Sequence, residues 1–147
     1  MSQSAFPVLT HESAQMAAAE CVNVAAVKGV AASIAVVDAG GHLMAFVRMT
    51  GAAFHSRDIA EDKAYTAVSF GAATGVLAQA LRAQPEHVRQ ELGRRPRVVL
   101  LKGGVPIRAA GRIIGAIGVS GAAEELDEEI ATAGTAAIGD SQTAQRE

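Results

Sequence analysis

The chain has 147 residues, half of them hydrophobic but only 3% aromatic, and a formal net charge of −2. Acids and bases are interspersed and the only basic cluster is Arg94, Arg95 and Arg97, which disfavours a nucleic-acid partner. The single Cys21 excludes an internal disulfide and a multi-cysteine zinc site.

From the N-terminus, residues 1–7 show no basic region followed by an apolar core, and no apolar run reaches the roughly 20 residues that cross a bilayer. The expectation is a cytoplasmic chain with no membrane partner. Length fits one domain over residues 1–147, with its core over about 8–138 and a polar tail over 139–147. Thr10 is placed to cap a first helix, in which Ala14, Ala17, Ala18, Cys21, Val22 and Ala25 share one face and Gly29 ends it. Two short apolar runs, 32–38 and 42–47, flank Ala39-Gly-Gly41 and predict an antiparallel hairpin.

Residues 55–71 return to helical spacing. Ala60, Ala64, Ala67 and Gly71 form a stripe of small residues, with Ile59, Lys63, Thr66 and Phe70 beside it. Gly75 and Pro85 divide the next stretch of chain into shorter helices. Three further strands are predicted at 97–101, 105–109 and 113–119, separated by Gly103-Gly104 and Gly111-Arg112. A last helix follows Ser120-Gly121, its inward face set by Leu126, Ile130, Ala133, Gly134 and Ala137. This order predicts an α+β fold: a single antiparallel sheet of about five strands with helices packed on it.

Several residues invite a chemical role. Gly118-Val-Ser-Gly-Ala122 is a strand-to-helix turn; there Gly118, Ser120 and Gly121 could receive a ligand carboxylate at the helix N-terminus, or simply start a helix. Glu124, Asp127 and Glu128 are expected to point outward from that helix. Lys63, in an apolar setting, is a candidate anion anchor or amine nucleophile, or the partner of a nearby acid. His55, at the entrance to the central helix, is a candidate proton-transfer residue or heme iron ligand. Arg48 and Arg57 flank loop 49–54 as a potential anion clamp. No His pair has helical zinc spacing, and no phosphate loop, dinucleotide fingerprint or nucleophile elbow is present.

The hairpin Ser33-Ile-Ala-Val-Val-Asp-Ala-Gly-Gly-His-Leu43, the segment Gly104-Val-Pro-Ile-Arg108, the stretch Lys63-Ala-Tyr-Thr-Ala67 and the string Ile114-Gly-Ala-Ile-Gly-Val-Ser-Gly121 resemble the GlcG/HbpS family. The matches run in family order over most of residues 8–138. The resemblance implies a profilin-like fold, assembly into homo-oligomers, and binding of heme or corrinoid-associated ligands in some relatives, with no axial ligand shared across the family. The expected function is therefore binding of a small molecule, heme or another tetrapyrrole. The alternative is a cofactor-independent enzyme acting on a small carboxylate-bearing metabolite through His55 and Lys63.

Overall fold

A computed structural model describes residues 6–139; most of the polar tail expected over 139–147 lies outside them. The first helix, α1 (His11–Val27), begins where Thr10 Oγ1 accepts the Ser13 amide at 3.1 Å, and ends before Gly29, which takes a φ of +77°. The hairpin forms as β1 (Ser33–Asp38) and β2 (Leu43–Arg48). Then come α2 (Ser56–Phe70), α3 (Thr74–Arg82), α4 (Glu86–Gly93), β3 (Gly104–Ala109), β4 (Arg112–Ser120) and α5 (Glu124–Ala136).

The four strands make one antiparallel sheet in the order β2-β1-β4-β3. The expected α+β fold with one antiparallel sheet is therefore present. The strand expected over 97–101 is absent. Its peptide groups are taken by a helix side chain instead: the Thr66 hydroxyl donates to Arg97 O at 2.7 Å and accepts the Val99 amide at 3.0 Å. Arg97 sits at a φ of +73°, which breaks an extended run.

Helices cover both faces of the sheet. On one face α1 and α5 pack over Ile34, Val36, Ile107, Ile114, Ile117 and Val119. Strand alternation turns Val37, Ala116 and Gly118 to the other face, where α2 lies on its Ala60, Ala64 and Ala67 stripe. Small residues bring helix and sheet very close; a Cβ built on Gly118 would collide with the Ala60 carbonyl. Gly134 does the same between α5 and α1, where Cys21 is fully buried and its thiol donates to the Ile130 carbonyl at 3.4 Å. Burial pushes that thiol up to about 12. A core of alanine and glycine gains little per side chain from apolar area, so close backbone contact supplies the packing. Among the described residues no single helix is long and apolar enough to cross a membrane.

Candidate functional site

Of the residues singled out in the sequence, Lys63, Gly118 and Ser120 are buried, whereas Arg48, His55, Arg57 and Gly121 are exposed. Lys63 is 1% exposed, and its Nζ lies 2.9 Å from the Val119 carbonyl and 3.1 Å from Asp127 Oδ2. Asp127 is 2% exposed and accepts the Ala122 amide on Oδ1 at 3.0 Å; the Gly121 amide also bonds to it. Burial pushes the Asp127 carboxyl above its ordinary range, against the pull of the Lys63 ammonium.

This geometry corrects the expected anion-receiving turn. Ser120 is the last residue of β4, opposite Ser33, and does not start the helix; Ala123 does. Gly118 is filled against α2. The amides that sequence spacing offers to an incoming carboxylate already hold a carboxylate from the chain itself. Lys63 is likewise bonded within the core and presents no free amine. Asp127, expected to point outward, faces inward with Ile130, Ala131 and Gly134. Its spacing to Ala131 and Gly134, four and seven residues, is the signal that places it there. Glu124 is also engaged, accepting the Lys102 amide at 2.8 Å.

The second group remains open to solvent. α2 packs chiefly on β1, β3 and β4, and the residues of β2 are partly or fully exposed. Arg48 lies directly across from Ser33, whose hydroxyl is 2.8 Å from that of Ser56 in the first turn of α2. Side chains opposite one another in an antiparallel pair share a face, so Arg48 and, two residues back, Phe46 point to the α2 side. Leu43, opposite Val37, joins them and is 46% exposed.

The facing wall is the flank of α2. Tyr65 lies against Gly41 in the hairpin turn, and Glu61 and Arg57 precede it at four-residue spacing on the same stripe. The Arg97 guanidinium stacks 3.8 Å from the centre of the Tyr65 ring and donates to Asp62 at 3.0 Å, fixing the outer rim.

Loop 49–55 closes one end of this groove. Arg48 Nη1 donates to the Ala52 carbonyl at 3.1 Å, and the Ser56 hydroxyl donates to Ala53 O at 2.5 Å. Phe54 is 80% exposed. His55, at the entry to α2, makes no side-chain capping bond. Arg57 is exposed and pairs with Asp58 at 3.3 Å. Arg48, His55 and Arg57 all lie on or beside the loop that joins β2 to α2, apart in the fold from Lys63, Gly118, Ser120 and Gly121. Phe46 and Tyr65 were missed by sequence reasoning, although the two-residue period from Arg48 places Phe46 on this face.

The family described as haem degrading protein HbpS-like matches residues 9–136. The chain belongs to that HbpS-like family. A solved structure of a double mutant of Streptomyces reticuli HbpS superposes with a TM-score of 0.83 at 39% identity, covering 95% of this chain and 91% of that one. The structure of a PduOC–heme complex gives 0.82 at 30% identity, over 89% and 95%. GlcG of Escherichia coli K12 is 39% identical over 88 residues, which are 60% of this chain and 63% of GlcG. The HbpS-like match spans the groove, the sealed ion pair and all four strands.

Proposed function

We propose that this HbpS-like chain binds heme, or another carboxylate-bearing tetrapyrrole, in the groove between α2 and β2, as part of a cytoplasmic homo-oligomer. One observation carries the reading: an imidazole without a capping role, two guanidiniums and the exposed Phe54 ring are all carried on or beside the loop that joins β2 to α2. That set fits the group. Phe46, Phe54 and Leu43 would offer apolar surface to the macrocycle, Arg48 and Arg57 would pair with its carboxylates, and the His55 imidazole would hold the iron. Bound heme would supply an iron centre. The chain's own contribution is to orient the macrocycle, anchor its carboxylates and hold the iron through one nitrogen. The heme-bound PduOC relative supports this chemistry.

Hemin titration tests it. Saturable Soret changes in the unaltered chain, weakened in His55→Ala and in the Arg48→Ala/Arg57→Ala pair, are expected. Non-saturable changes indifferent to His55 would remove heme from this groove. The alternative expectation, a cofactor-independent enzyme, loses its amine because Lys63 is bonded to Asp127 and Val119.

A further inference from the structure

Away from the loop between β2 and α2, five charged side chains converge beside α3. Two recesses open there and share Gly75, Gln79 and Lys102 in their walls. One, of about 320 Å³, is also lined by Arg82, Glu124 and Glu125. The other, of about 430 Å³ and more open, is bounded by Val76, Ala80 and Glu128. Small-molecule clefts ordinarily measure about 300–1,000 Å³, so either recess is large enough to hold part of a metabolite. Val76 is 62% exposed and gives the second one an apolar wall.

Local packing sets these groups in place. A Cβ built on Gly75 would lie 2.8 Å from Lys102 Cγ and 3.0 Å from Glu128 Oε2, so the missing side chain makes room for both. The Lys102 amide is anchored in turn on Glu124 Oε1 at 2.8 Å. Gln79 accepts one N–H of Arg82, which holds the guanidinium at the rim and leaves its other donors open. Opposite charges brought this near one another elsewhere in the chain pair directly, as Lys28 does with Glu129 at 2.6 Å and Arg97 with Asp62 at 3.0 Å. Here they do not. Arg82, Lys102, Glu124, Glu125 and Glu128 form no ion pair with one another or with any other described residue. Lys102, Glu124 and Glu128 are half-buried. Each has lost part of its hydration without gaining an ionic partner, a cost that a ligand of matching charge would offset.

We propose that this cleft binds a small α-amino acid with an aliphatic side chain. Its ammonium would meet the carboxylates of Glu125 and Glu128, and its carboxylate would meet the Arg82 guanidinium and the Lys102 ammonium. Its side chain would cover Val76 and Ala80. A simple anion brought here confronts three carboxylates, and a simple cation confronts two cations, so either is opposed by part of the wall. A zwitterion can satisfy both signs at once, and its two charges fix its direction in the cleft. The inference uses none of the residues of the heme reading and stands apart from it.

Calorimetric titration of the unaltered, heme-free chain tests it with four probes: L-leucine, glycine, L-leucinamide and 4-methylpentanoate. Leucine is expected to bind saturably. Leucinamide lacks the carboxylate and 4-methylpentanoate lacks the ammonium, and each should bind at least about tenfold more weakly, a difference of about 1.4 kcal/mol. Glycine, without a side chain, should also bind more weakly than leucine. Arg82→Gln and Glu125→Gln alter exposed positions and should leave the fold intact by circular dichroism. The first should abolish the preference for leucine over leucinamide, and the second its preference over 4-methylpentanoate. Leucine that fails to saturate, an analogue that binds as tightly as leucine, or variants that keep both preferences each overturn the proposal. Hemin titration of the same variants should match the unaltered chain, and a loss of hemin binding there would place the two ligands in one site and overturn it too.

Discussion

The start and the middle of α2 solve opposite problems. Toward its middle, Lys63 is buried with an acceptor on two sides, and the carboxylate it meets also satisfies the first amides ahead of α5. At its start, His55 has no capping bond and Arg57 has one exposed neighbour. A buried charge without partners is strongly destabilising, so the first region is fixed by necessity. Exposed groups carry no such penalty and are free to meet something else. The contrast separates residues that hold the fold from residues available to a ligand, although both groups look equally functional in sequence.

The sharpest way to break the contrast is Asp127→Ala. It strands the Lys63 ammonium in the core and should cost about 3–5 kcal/mol, read as a fall in the urea midpoint. Replacing both partners with apolar residues, Lys63→Met with Asp127→Leu, should recover most of that loss. Gly118→Ala comes next. The added methyl meets the Ala60 carbonyl, and overpacking of this kind costs roughly 1–3 kcal/mol.

At the open end, His55→Ala should leave stability within about 0.5 kcal/mol while weakening hemin binding at least about tenfold, which is about 1.4 kcal/mol. Circular dichroism melts and Soret titrations on one preparation check both halves of that statement. The smallest effect is expected in pH dependence. The folded-state pKa of Asp127 is raised above its ordinary 3.8, so its contribution to stability is present below that value and lost as pH rises through the folded pKa. In Lys63→Met the opposing ammonium is gone and the loss should extend to higher pH. Urea midpoints at a series of pH values between about 4 and 7 should therefore fall more steeply for Lys63→Met than for the unaltered chain. A flatter profile would mean that Asp127 is hydrated.

Much of the fold was legible because its signals are local. Thr10, Gly29 and the alanine spacing define α1 without reference to anything else, and the double glycine sets the hairpin. The strand expected over 97–101 failed for a non-local reason: Thr66, some thirty residues earlier, captures the peptide groups a neighbouring strand would have taken. Asp127 was misplaced because Leu126 and Ile130 were read as the centre of the inward face, whereas 127, 131 and 134 lie closer to it. The identity of the groove could not be read at all. It depends on which strands α2 packs against, chiefly β1, β3 and β4, and no sequence pattern states that choice.

Cys21 carries a practical consequence. Only the thiolate attacks electrophiles, and a thiol held near 12 against a carbonyl supplies almost none at neutral pH. The native chain is therefore silent toward maleimides, and one cysteine introduced on loop 49–54 becomes a unique attachment point for a fluorophore or spin label.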